Sequence, residues 1–184
     1  MSVRPVRVYG DPVLKQRAAE VTQFDESLKG LAADMHETMH AYRGVGLAGN
    51  QIGVLQRILV VDVPGGDEGE ERRIYTVVNP VIVEKSGTQT DEEGCLSIPG
   101  VWQDVTRAMK VAVEARDENG QPFRIDAEGY LARALQHEID HLDGVLFVDR
   151  LSMLKRQFLR RDLDALARGE LPEGHHPMAR GEGR

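Results

Sequence analysis

At 184 residues the chain can bury one sizeable core but has little room for two. Hydrophobic residues at 41% and charged residues at 29% exclude a disordered or membrane-spanning class, and a net charge of −7 argues against DNA as a partner. A single cysteine excludes an internal disulfide, and neither the opening MSVRPVRVYGDP nor short apolar runs such as ILVV at 58–61 suggest export or a membrane span, so a cytoplasmic location is expected.

The first expected element is an amphipathic helix from Asp25 to Arg43, with Leu28, Leu31, Met35, Met39 and Tyr42 on one stripe. A glycine-rich turn, GVGLAGNQIG at 44–53, follows it. Strands are expected at 57–63 and 75–84, with PGGDEGEE at 64–71 an exposed loop between them. EEGCLSIPG at 92–100 has the composition of a turn between strands. Two further strands, 110–116 and 122–126, flank DENG at 117–120, a sequence suited to a hairpin. A second helix covers roughly Ala127 to Leu142, and a third starts near Ser152, a good N-cap. The segment 152–168 carries Lys155, Arg156, Arg160, Arg161 and Arg168 against Asp162 and Asp164, either a solvated face with internal ion pairs or a local basic docking face. The tail from Gly169 is polar and rich in glycine, which suggests no fixed structure. Strands cluster centrally without regular helix alternation. The fold class is therefore α+β, one domain over 1–168, with mostly antiparallel sheets around a central helix and a C-terminal helix.

HETMH at 36–40 and HEIDH at 137–141 both fit H-E-x-x-H, a spacing that puts two imidazoles on one side of a helix. In the first, the apolar stripe leaves out both histidines, Lys29 and Arg43 share their flank, and Glu37 points away from the stripe. His36 and His40 therefore belong to an ordinary helix flank. In the second, Arg133, Gln136, Asp140 and Asp143 gather on a polar arc, while His137 and His141 continue the line of Tyr130 and Ala134 inside the apolar arc, with Glu138 beside Leu131. Three ionisable groups at positions meant for apolar side chains need partners, and a metal ion supplies one. HEIDH is the expected site.

The extended peptidase pattern wants a third histidine where Phe147 stands, and a glutamate ligand would have to be Glu170 or Glu173 in the tail. Cys95 is the better third ligand, with Gly94 beside it to let backbone approach the metal. One thiolate and two imidazoles leave a coordination position open, as in catalytic zinc sites, and Glu138 is then placed to move a proton. An endopeptidase is one rival reading; a noncatalytic binding protein with a structural metal, closed by His175 or His176, is another.

Three separated motifs, GVGLAGNQ at 44–51, EGCLS at 93–97 and QHEIDHLDG at 136–144, resemble peptide deformylase, which removes the N-formyl group from the first methionine of new bacterial proteins. The resemblance runs from about Val3 to the basic helix. It implies Cys95, His137 and His141 as metal ligands, Glu138 as acid/base, and the Gln51 amide with the Leu96 N–H as oxyanion donors. It implies an extended N-formyl-methionyl nascent peptide held by main chain at Val45, Gly46 and Gly94, in the manner of an added strand. It implies one divalent ion, Fe2+ by the family's habit, with Zn2+, Ni2+ or Co2+ compatible with the same ligands. It also implies ribosome docking through residues 152–168. One departure stands out: the family has alanine where this chain has Gly49, which suggests a looser loop around Gln51. The resulting GVGLAG mimics a dinucleotide fingerprint but lacks a strand before and a helix after it.

Overall fold

The computed structural model describes residues 2–65 and 71–171. Helix α1 (Glu26–Ala41) starts where the Asp25 carboxylate accepts from the N–H groups of Ser27 and Leu28. Leu28, Leu31, Met35 and Met39 are buried along the expected stripe, and Tyr42 packs partly against them.

A five-stranded antiparallel sheet follows, in the order β1 (Gly46–Ala48), β2 (Ile58–Val63), β3 (Arg73–Ser86), β6 (Lys110–Arg116), β7 (Pro122–Glu128). Strand β2, ILVVDV, is buried at every position because both its faces are covered. Side chains alternate across a strand. Ile58 and Val60 join the cluster under α1, while Leu59, Val61 and Val63 join one on the opposite face. That second cluster is closed by helix α2 (Gly129–Leu142) through Leu131, Leu135, Ile139 and Leu142. The sheet thus lies between two helices, and α2 is central.

A separate hairpin, β4 (Gln89–Cys95) and β5 (Ile98–Arg107), carries Cys95 at its tip, paired with Ile98. Its inner residues Ile98, Val101 and Val105 share a third cluster with Leu14, Phe147, Val148 and the apolar edge of α3 (Met153–Ala167): Leu159, Leu163 and Leu166. Ser152 caps α3 by accepting the Lys155 N–H. Of its cations, Arg156 pairs with Asp149 and Arg160 with Asp164, Lys155 donates to the Asp104 carbonyl, and Arg161 has no ion-pair partner among the described residues. No described helix is long and apolar enough to cross a membrane.

The α+β architecture, the three helices and the hairpin at DENG agree with the sequence. The turn closes as expected, with the Gly120 N–H donating to the Asp117 carbonyl and Gly120 at φ +82°. Strands β1, β4 and β5 were not foreseen, and α2 begins at Gly129 rather than Ala127. Two of the segments read as unstructured overlap the undescribed stretches: 66–70 of the 64–71 loop and 172–184 of the tail lie outside the described residues. Gly169 and Glu170 instead close α3, donating to the carbonyls of Leu166 and Ala165.

Gly49 corrects another expectation. A Cβ there would lie 2.7 Å from the Val54 carbonyl oxygen and 2.8 Å from that of Gln56. Its φ is not left-handed, so the demand for glycine is steric: the 53–57 loop closes onto it, and the Val54 N–H donates to its carbonyl. The loop is tight, not loose. Gly49→Ala should therefore destabilise the fold by about 1–3 kcal/mol, the usual cost of overpacking, measured as a lower urea midpoint at unchanged slope.

Candidate metal centre

Every residue of α2 from Leu131 to Leu142 is buried. The arc of Arg133, Gln136 and Asp140, which looks solvent-facing in sequence, is as enclosed as the apolar one. The C-terminal end of the helix is fixed. Ala18 N–H donates to Leu142 O at 2.8 Å, and the Arg57 guanidinium reaches the same carbonyl and the Asp143 carboxylate. Gly144, at φ +74°, turns the chain where a Cβ would meet the Lys15 carbonyl oxygen at 2.5 Å.

On this helix His137 and His141 stand one turn apart with their Nε2 atoms 3.3 Å from each other, and Cys95 Sγ lies 3.3 Å from His141 Nε2. Among the described residues these three form a donor group whose ligand atoms all lie within 4.8 Å of one another. Ligands at about 2.0–2.3 Å from a tetrahedral ion sit roughly 3.3–3.6 Å apart, so the spacing fits one ion. So does the chemistry of a thiol and two imidazoles. Burial pushes His141 well below the ordinary imidazole range, which keeps it in the neutral form that ligation requires.

His137 is aimed by Glu93, whose Oε2 lies 2.9 Å from Nδ1. An ionised carboxylate only accepts, so a proton sits on Nδ1 and Nε2 faces the site. Burial works against the charged ring, but Cys95 and Glu93 outweigh it and raise His137 well above the ordinary imidazole range, so an ion at Nε2 would take the place of the second proton. Burial would raise the Glu93 pKa, but hydrogen bonds from His137 and Arg107 outweigh it and hold the carboxyl down to about 2. Arg107 donates to both Glu93 oxygens, at 2.5 and 2.9 Å, and to Asp140 at 2.8 Å; Arg133 adds a bond to Glu93 at 2.6 Å. Arg150 completes Asp140 from the surface side. The sequence reading missed this network. The one available signal was period two on a strand, which turns Glu93 the same way as Cys95.

Glu138 is buried and its Oε2 has no hydrogen-bond partner among the described residues. Burial pushes its carboxyl up to about 7. Gly46 is the floor beneath it: a Cβ there would run into the Glu138 carboxylate. Gln51 is oriented by the Ala48 N–H, which donates to its Oε1 at 2.8 Å and leaves Nε2 facing Ser97 Oγ at 3.3 Å and Cys95 Sγ at 3.6 Å. Leu96 lies over Gly44, so close that a Cβ on the glycine would be 2.8 Å from its Cδ1. The Val45 carbonyl is engaged by the Asp62 N–H, while β1 and β4 each have one edge unpaired. At Gly94 the space where a side chain would go is filled by the Trp102 indole.

The competing ligands among the described residues are engaged elsewhere. His36 bonds Thr76 on β3 at 3.0 Å and His40 bonds Asp62 on β2 at 2.6 Å, with Glu37 exposed, so the first H-E-x-x-H fastens α1 to the sheet. Phe147 is buried against the His137 ring, and Glu170 pairs with Arg168. Glu173, His175 and His176 lie outside the described residues.

A family model described as polypeptide deformylase matches residues 3–157. A peptide deformylase from Alkalilimnicola ehrlichii is 48% identical over 168 residues, covering 91% of this chain and 93% of that protein. Among solved structures, a peptide deformylase from Legionella pneumophila superposes with a TM-score of 0.82 at 48% identity, covering 92% of this chain and 98% of the other. One from Ehrlichia chaffeensis, in complex with actinonin, gives 0.84 at 43% identity, covering 92% and 99%.

Because Glu93 sets the direction of a ligand nitrogen, Glu93→Gln should weaken metal affinity about 10- to 100-fold, read by competition against a chromogenic chelator.

Proposed function

This chain belongs to the polypeptide deformylase family, and from that premise we propose a role for each residue of its site. The reaction is hydrolysis: the N-formyl group of an N-terminal formyl-methionine on a nascent polypeptide is released as formate. Cys95, His137 and His141 hold one divalent ion, supported by their convergence on α2 and the hairpin tip. Ferrous iron is the ion we assign in the cell, with zinc, nickel or cobalt accepted by the same thiolate and imidazoles. When bound, the ion supplies a Lewis acid and lowers the pKa of water.

Glu138 is the acid/base. It takes the proton of the attacking water and delivers it to the leaving amine, and the observation that carries this role is a buried carboxylate oxygen with no hydrogen-bond partner among the described residues. Gln51 Nε2 and the Leu96 N–H stabilise the oxyanion; for Gln51 the support is an amide whose orientation is already fixed by Ala48, so little reorganisation is left for the reaction. The peptide lies extended between the open edges of β1 and β4, using the main chain of Gly46 and Gly94. Val45, its carbonyl already engaged, contributes its side chain and N–H. Main-chain pairing of this kind accepts many sequences, while the methionine alone is read in a pocket.

Residues 1–168 act as one catalytic unit, supported by a hairpin whose core cluster includes α3 and whose tip meets α2. The working place is the cytoplasm. The basic face of α3 docks near nascent chains on the ribosome, supported by Arg161, which pairs with no acid among the described residues, and by the exposed Leu154 and Phe158 around it.

Formate release from formyl-Met-Ala-Ser by protein purified without oxygen tests the reaction, and no release would overturn it. Glu138→Ala should lower kcat by about 10²–10⁴-fold with one ion per chain retained; full activity in that variant would remove its role. Reversing Arg156, Arg160 and Arg161 to glutamate should abolish co-sedimentation with ribosomes, and unchanged co-sedimentation would end the docking idea.

A further inference from the structure

Trp102 is the chain's one tryptophan and is 59% exposed, although burying an indole is among the most favourable uses of an apolar side chain. It is not loose on the surface. Three of its ring carbons (Cε3, Cζ3 and Cη2) lie 2.6–2.7 Å from where a Cβ on Gly94 would be, so the ring is laid on the Gly94 backbone. Gly94 is the residue before the metal ligand, on the strand whose other edge is open. A glycine at this point lets the indole come within one residue of the reacting centre.

The face it occupies is set by strand alternation. Along β5, Val101, Val105 and Arg107 are buried, while Trp102, Asp104 and Thr106 are exposed. Along β4, the Glu93 and Cys95 side chains reach His137 and His141 in the interior, which turns the Gly94 position outward. Trp102 therefore covers the outer face of the strand edge on which an extended peptide would pair. In such a peptide the first side chain enters the protein, and the second, by the same alternation, emerges on the outer face.

We propose that Trp102 is a specificity-determining residue that reads the second residue of the formylated peptide, favouring an aromatic or large apolar side chain laid against its indole. This rests on the deformylase reading of the site and on main-chain pairing along β4. The third side chain turns inward again and lies beyond the reach of Trp102. Anionic second residues gain nothing from the ring, and aspartate also faces the exposed Asp104 carboxylate on the same side of the strand.

The test compares kcat/KM across formyl-Met-X-Ser and formyl-Met-Ala-X peptides, with X as Phe, Leu, Gly or Asp. In the unaltered protein, Phe at the second position should exceed Gly by about 3- to 10-fold, the size of an aromatic contact. Trp102→Ala should bring that ratio to about one, and Trp102→Phe should restore much of it. Ratios at the third position should not respond to either substitution. With one tryptophan per chain, intrinsic fluorescence reports directly: the product Met-Phe-Ser should shift the emission of the unaltered protein more than Met-Gly-Ser does. A second-position ratio that survives Trp102→Ala, a response at the third position instead, or identical emission with both products would each overturn the proposal. Failure to release formate from formyl-Met-Gly-Ser would instead overturn the deformylase reading beneath it.

Discussion

One buried carboxylate organises this molecule. Glu93 is kept ionised in the interior by hydrogen bonds from His137 Nδ1 and Arg107, and Arg133 donates a further one. The His137 bond joins the β4–β5 hairpin to α2 and points the imidazole Nε2 toward Cys95. A lone buried charge would cost several kcal/mol, and removal of one partner from such a network typically costs about 3–5 kcal/mol. The arrangement is thus held by mutual need: the guanidinium groups require the carboxylates, and the ligand geometry follows from them.

The remaining constraints are spatial. Gly46 leaves room for the Glu138 carboxylate, Gly44 for Leu96, and Gly94 for Trp102. In each case the missing Cβ is replaced by a functional or neighbouring side chain, so backbone and chemistry lie within van der Waals reach. Gly49 belongs to a different class, since what closes on it is the backbone of the next loop. That closure steadies the 3-10 turn Gly49–Ile52, from which Gln51 reaches the hairpin tip.

Much of this was legible in the residues. Leu28, Leu31, Met35 and Met39 announced α1 by their spacing, and HEIDH announced the site because ionisable groups fell on an apolar arc. Strand β4 was hidden: QTDEEGC is polar at nearly every position, since its hairpin is covered on one face and lies at an edge. The Glu93–Arg107–Asp140 network was also hidden. Its members are 14 and 33 residues apart in sequence, and nothing local marks a charged residue as buried. Arg133 and Asp140 were read only as part of a polar arc for the same reason. The rule that separates polar from apolar arcs fails on a helix enclosed on all sides, where the polar arc pairs with other buried charges.

At the centre stands a donor group for one ion, the Cys95 thiol and the His137 and His141 imidazoles, and among the described residues no fourth ligand joins them. X-ray absorption on anaerobically purified protein tests this most directly, because sulfur and nitrogen scatterers separate by distance. One sulfur near 2.3 Å with two imidazole nitrogens near 2.0–2.1 Å is the expected first shell. A shell without sulfur, or one closed by a third imidazole, would contradict it.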